Sequence, residues 1–122
     1  MTMNVLALRG AITLEADERS HLLERVERLL SEMIDRNGVS HDDIISILFT
    51  ATSDVHSVFP AVAARRLGLG DVPLMCAQEL TIEGGMPLCI RVLMHIATDR
   101  TRGDLRHVYL EQARTLRDDL PE

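Results

Sequence analysis

Large apolar and smaller positions alternate along Met3–Thr13, MNVLALRGAIT, in the two-residue rhythm of a strand. Leu6, Leu8 and Ile12 make a large apolar face, while Val5, Ala7, Arg9 and Ala11 make a smaller face that carries a charge. From Asp17 to Asn37 the rhythm lengthens to steps of three and four. Leu22, Leu23, Val26, Leu29, Leu30, Met33 and Ile34 then fall on one stripe of an amphipathic helix. Asp17 is placed to cap its start, and Asn37-Gly38 to end it. Glu24, Arg28, Glu32 and Arg36 alternate in sign four residues apart, worth ~0.2–0.5 kcal/mol a pair, and predict a solvated face.

The β-rich run DIISILFTAT (Asp43–Thr52) predicts a second strand, followed by polar SDVHS. FPAVAARRLG then reads as a short helix ending at Gly68, and VPLMCAQELTI as a third strand. EGGMP (Glu83–Pro87) is a turn, PLCIRVLMHIATD (Pro87–Asp99) a fourth strand, and LRHVYLEQA (Leu105–Ala113) a short fifth. The expected architecture is α/β: a mixed sheet of about five strands packed on one long helix, with short helices. One long helix covers one sheet face. The other face therefore predicts oligomerisation. Without a repeat or a Gly/Ser/Pro linker, residues 1–122 are expected to form a single domain, with a short tail from about Thr115.

Alternation divides the fourth strand into two unlike faces. Leu88, Ile90, Val92, Met94 and Ile96 are uniformly aliphatic and belong under the helix. Cys89, Arg91, Leu93, His95 and Ala97 make the softer face, and Arg9 lies on the softer face of its own strand. A guanidinium in such a place is costly unless paired. Either Arg9 and Arg91 meet acids of this chain, such as Glu79, Glu83 or Glu111, and pin an interface, or they await an outside anion. Residue types alone leave both open, because the planar fork of arginine suits both roles.

Composition narrows the chemistry. Aromatics are 2% of the chain (Phe49, Phe59, Tyr109), so the core must be aliphatic and each ring stands out. A net charge of −6 argues against broad binding to nucleic acid or anionic membrane. Two cysteines make no disulfide framework, no signal-peptide pattern opens the chain, and no apolar run nears the ~20 residues of a membrane span. A cytoplasmic location is expected. The five histidines have no metal-site spacing, and no metal is expected. Cys76 reads as a small buried hydrophobe rather than a nucleophile, and Tyr109 equally as a core ring or a ligand contact. There is no Ser/His/Asp order, phosphate loop or dinucleotide fingerprint.

Five fragments in register, LRGAIT, FTATSDVHSVFPAVAAR, VPLMCAQE, CIRVLM and RHVYLEQARTLRDDL, closely resemble the monofunctional chorismate mutases of the α/β class, from about Leu8 to Leu120. The resemblance implies a pseudo-α/β-barrel homotrimer with active sites between subunits, conversion of chorismate to prephenate, and no cofactor. Position by position, it implies that Arg91 contacts the ether oxygen of the breaking bond. Arg9 and Tyr109 would hold the enolpyruvyl carboxylate, and Glu79 and Cys76 would meet the ring hydroxyl. Phe59, Ala61, Arg65 and Leu74 would form a wall from the adjacent subunit, with Met75 beside it. Leu116 and Arg117 would belong to a C-terminal segment that closes over the ligand. Two positions depart from the family pattern: Val62 stands where Lys is frequent, and Met75 where Thr is common.

The implied reaction is an intramolecular [3,3] rearrangement, one C–O bond breaking as one C–C bond forms. No proton moves and no nucleophile acts, which accounts for the missing catalytic motifs. A compact conformer and fixed cations near the developing oxyanion suffice. The alternative is a non-catalytic trimeric module that keeps the anion pocket and turns nothing over.

Overall fold

The computed structural model describes residues 3–117. Five strands, β1 (Asn4–Thr13), β2 (Ile44–Ala51), β3 (Leu74–Gln78), β4 (Cys89–Thr98) and β5 (Val108–Leu110), form one mixed sheet in the order β3-β2-β4-β1-β5. β4 lies at the centre, antiparallel to β1 and β2, while β3 runs parallel to β2 and β5 parallel to β1. Two helices, α1 (Arg19–Asn37) and α2 (Ala61–Arg66), connect β1 to β2 and β2 to β3. Among the described residues, no helix is long and apolar enough to cross a membrane.

The two-faced alternation of β1 and β4 is realised. Leu8 and Ile12 of β1, Ile47 and Phe49 of β2, and Ile90, Val92, Met94 and Ile96 of β4 are buried in one core with the α1 stripe Leu22, Leu23, Val26, Leu29, Leu30 and Met33. Gly10 lets α1 lie close to β1: a Cβ there would stand 2.5 Å from the Met33 sulfur and 3.2 Å from Leu29 Cδ1.

The opposite face is left largely open, with Val5 64% and Met75 61% exposed. Among the described residues, its β1–β5 end is the part that is covered. There Ala11, Cys89 and Ala113 are fully buried beneath Tyr109, Met86 and Leu116.

Several boundaries differ from the expected ones. Glu18, not Asp17, caps α1, its two carboxylate oxygens accepting the N–H groups of Ser20 (3.1 Å) and His21 (2.8 Å). Asp17 instead accepts from the N–H groups of His56 (2.8 Å) and Ser57 (3.1 Å), tying the start of α1 to the loop that leads into α2. Gly38 ends the helix in the left-handed conformation, as expected. β4 begins at Cys89 because Leu88 sits at φ +48°, outside strand geometry. β5 stops at Leu110 because Glu111 adopts φ +56° and starts a 3-10 turn, Glu111–Thr115. Along α1 the Glu32–Arg36 pair forms (2.6 Å), but Arg28 leaves the expected ladder for Glu111.

Candidate active site

The open face gathers most of the expected polar groups in one place. Register sets them side by side: Arg91 of β4 lies opposite Ala11 of β1 and Thr50 of β2, Arg9 opposite Leu93, and Tyr109 of β5 beside Ala11. Glu79 comes one residue after β3 ends, its N–H bonded to the Ala51 carbonyl at 2.9 Å. Arg9, Arg91, Tyr109 and Glu79 line a cleft of ≈ 440 Å³ with Thr50, Leu93 and Arg117. The volume is that of a small-molecule site.

Arg91 answers both halves of the sequence question. Its Nε lies 2.7 Å from Glu79 Oε1, so it has an acid of its own chain, yet its side chain remains 44% exposed toward the cleft. The same Glu79 oxygen accepts the Thr50 hydroxyl at 3.1 Å. Among the described residues, Arg9 makes no ion pair; its backbone N–H donates to His107 Nδ1 at 2.9 Å. Among the described residues, the cleft is therefore lined by Arg9, Arg91 and Arg117 and by the carboxylate of Glu79. With Arg91 paired to Glu79 and no ion pair to Arg9 among the described residues, the cleft keeps a cationic character on an acidic protein.

Burial is the main influence on the titratable groups around the cleft. Burial, reinforced by the charges of Arg9 and Arg117, holds the His107 pKa below its ordinary value. The imidazole is thus kept in the neutral form that accepts the Arg9 N–H. Burial pushes the Cys89 thiol up to about 11, with Arg91 only partly opposing it. A thiol held protonated is no nucleophile.

Other expected site residues lie elsewhere. Cys76 pairs in register with Phe49, which puts it on the helix face of β3, opposite to the Arg91 side. It lines a separate cavity of ≈ 490 Å³ with Phe59, His56 and Gln78, between the ends of β2 and β3 and the loop before α2. Phe59 is 71% exposed there. Ala61 is buried in the core, and Leu74 is half-buried against the same core. Arg65 and Met75 are exposed, and Leu116 packs beside Ala113. Thr50 was not singled out from the sequence. Its signal is positional: it lies on the same β2 face as Ser46 and Leu48, which the strand register places across from the softer face of β4.

The family model described as chorismate mutase type I matches residues 5–120. Chorismate mutase AroH of Bacillus subtilis (strain 168) is 42% identical over 119 residues, 97% of this chain and 94% of that protein. Chorismate mutase AroH of Thermus thermophilus is 42% identical over 117 residues, 95% of this chain and 96% of that protein. Among solved structures, a chorismate mutase from Clostridium thermocellum matches with a TM-score of 0.89 and 43% identity, covering 90% of this chain and 98% of that one.

Proposed function

The chain belongs to the chorismate mutase type I family, and from that premise we propose how its residues convert chorismate to prephenate. The observation that carries the assignment of roles is the cleft lined by Arg9, Arg91, Tyr109 and Arg117 together with the Glu79 carboxylate. Chorismate is a dianion, and arginines lining the site can receive its carboxylates when they leave water.

Arg9 and Tyr109 hold the enolpyruvyl carboxylate, next to each other across the β1–β5 edge. Arg117 approaches from the C-terminal segment. Arg91 turns its Nη groups to the ether oxygen of the breaking C–O bond, with Nε occupied by Glu79. Electron density grows on that oxygen as the bond lengthens, so the guanidinium stabilises the transition state more than the bound substrate. The carboxylate of Glu79 orients Arg91 through Oε1 and offers Oε2 as acceptor for the ring hydroxyl. Confining the substrate to the folded conformer that brings its reacting carbons together supplies the remainder. No group donates or removes a proton.

With His107 held neutral and Cys89 held protonated, kcat is expected to be nearly flat across neutral pH. The measurement is loss of the chorismate diene absorbance as a function of pH. A steep bell centred near neutrality would show that an acid–base pair operates.

We place the active site between subunits of a homotrimer working in the cytoplasm. The open sheet face and the exposed Phe59 support the shared site, and so does the separation of the Arg91 cleft from the Phe59–Cys76 cavity. In that arrangement Cys76 travels with Phe59, so one subunit presents Cys76, Phe59 and Arg65 to the Arg91 cleft of its neighbour. Mixing Arg91→Gln subunits with Arg65→Ala subunits is then expected to restore activity, because some interfaces combine two intact halves. Absence of recovery after demonstrated subunit exchange would reject the shared site.

A further inference from the structure

Beyond Tyr109 the chain turns over the end of the sheet at a single strained residue. Glu111 holds φ at +56°, a left-handed conformation that non-glycine side chains avoid. On one side of the turn is Tyr109. On the other, Ala113 is buried against Ala11 and Cys89, and Leu116 and Arg117 lead to the cleft. A strained residue persists only where its surroundings over-determine it.

Here the surroundings are two arginines of α1. Arg28 donates to Glu111 Oε2, and Arg25 Nη1 lies 3.5 Å from Glu111 Oε1. Arg25 is itself fixed: its side chain is 13% exposed, Nη1 donates to the Thr13 carbonyl at 3.0 Å, and Nη2 meets Glu15 at 3.3 Å. The Gln112 N–H then donates to the Thr13 hydroxyl at 3.0 Å, joining the turn to the last residue of β1. The hydrogen bond from Arg28 and the charges of both arginines hold the Glu111 carboxyl below its usual range, against the effect of burial. None of Arg25, Arg28 and Glu111 lines the cleft.

We propose that Glu111 is a positioning residue: clamped to Arg25 and Arg28, it fixes the turn that delivers Leu116 and Arg117 to the substrate. The proposal rests on the assignment of Arg117 to substrate binding, but its consequences are separable. A carboxylate contact is made in ground and transition states alike, so loosening it raises KM more than it lowers kcat. Clamp and Arg117 act in series, so their effects do not add.

The experiment measures kcat and KM for Glu111→Gln, Arg28→Gln, Arg117→Ala, and Glu111→Gln combined with each of the other two. Loss of a charge-assisted link is expected to raise KM by roughly 5–10-fold in Glu111→Gln, with kcat within about twofold. Arg28→Gln shifts KM in the same direction, the Glu111/Arg28 double variant is no worse than Glu111→Gln, and adding Glu111→Gln to Arg117→Ala changes nothing further. Should Glu111→Gln fail to fold, Arg28→Gln carries the test, because it leaves the strained residue untouched. A raised KM in Arg117→Ala with none in the clamp variants overturns the clamp and spares the Arg117 assignment. An unchanged KM in Arg117→Ala removes both, and additive effects show that Glu111 acts through something other than Arg117. A role confined to stability would lower the melting temperature and leave KM where it was.

Discussion

Replacing Arg91 with glutamine is expected to lower kcat by at least ~100–1,000-fold, the loss seen when one oxyanion donor is removed, with a much smaller change in KM. Glutamine keeps some length and hydrogen-bonding capacity but not the charge, and charge is what the lengthening C–O bond requires. The Glu79 carboxylate does not neutralise the role. It engages Nε at 2.7 Å, while the side chain stays 44% exposed to a cleft that also holds Arg9 and Arg117. Enzymatic accelerations begin near 10⁶-fold, roughly 8 kcal/mol, and one charged donor at ~2.7–4 kcal/mol supplies a large part of that minimum.

The smaller rise in KM will come from Glu79, which in the variant faces the substrate carboxylates without its partner. The double variant Arg91→Gln/Glu79→Gln separates the two effects: it should recover binding and leave kcat low. Lysine at position 91 is not expected to rescue, because a point charge on a flexible stem cannot serve Glu79 and the ether oxygen at once. Turnover close to that of the unaltered protein in Arg91→Gln would refute the assignment. Dissociation of the oligomer, read by sizing the variant, would show that Arg91 pins an interface instead.

The two faces of β1 and β4 were legible because strand periodicity is local and strong, and the core on one face and the arginines on the other both followed from it. The central place of β4 was not, since strand order depends on which edges meet after the helices pack. The Arg91–Glu79 pair illustrates the limit. Sequence names Glu79 among several acids for Arg91, but the choice is made by the pairing of β3 with β2. Its alternation continues one residue past β3, where the Glu79 N–H bonds the Ala51 carbonyl, and so sets Glu79 on the open face near Arg91. Cys76 shows the converse. Three residues from Glu79, strict alternation puts it on the other face, and the sheet keeps that alternation without a bulge at Cys76. Glu111 was named only as one of several acids. Neither its positive φ nor its hold on α1 leaves a mark in composition or period, because both arise where the chain rounds the end of a sheet.

Leu8→Ala is expected to have the opposite phenotype to Arg91→Gln, and the contrast tests whether the two sheet faces divide stability from catalysis. Leu8 is fully buried on the helix face of β1, opposite Met94. Truncating a buried leucine costs ~2–5 kcal/mol, the transfer energy of the lost methyl and methylene groups plus the cavity that close packing cannot refill. In a chain of this size that lowers the melting temperature by on the order of 10 °C. The next residue, Arg9, points to the opposite face, and β1 is held on both sides by β4 and β5, so the cleft should keep its shape while the chain stays folded. Well below the new transition, kcat should then lie within a few-fold of the unaltered protein, whereas Arg91→Gln should melt close to normal. Both melting points must be compared at one protein concentration, because association adds to apparent stability. A Leu8→Ala protein that is folded yet loses kcat as heavily as Arg91→Gln would mean that core packing sets the cleft geometry directly, and that the faces are not independent.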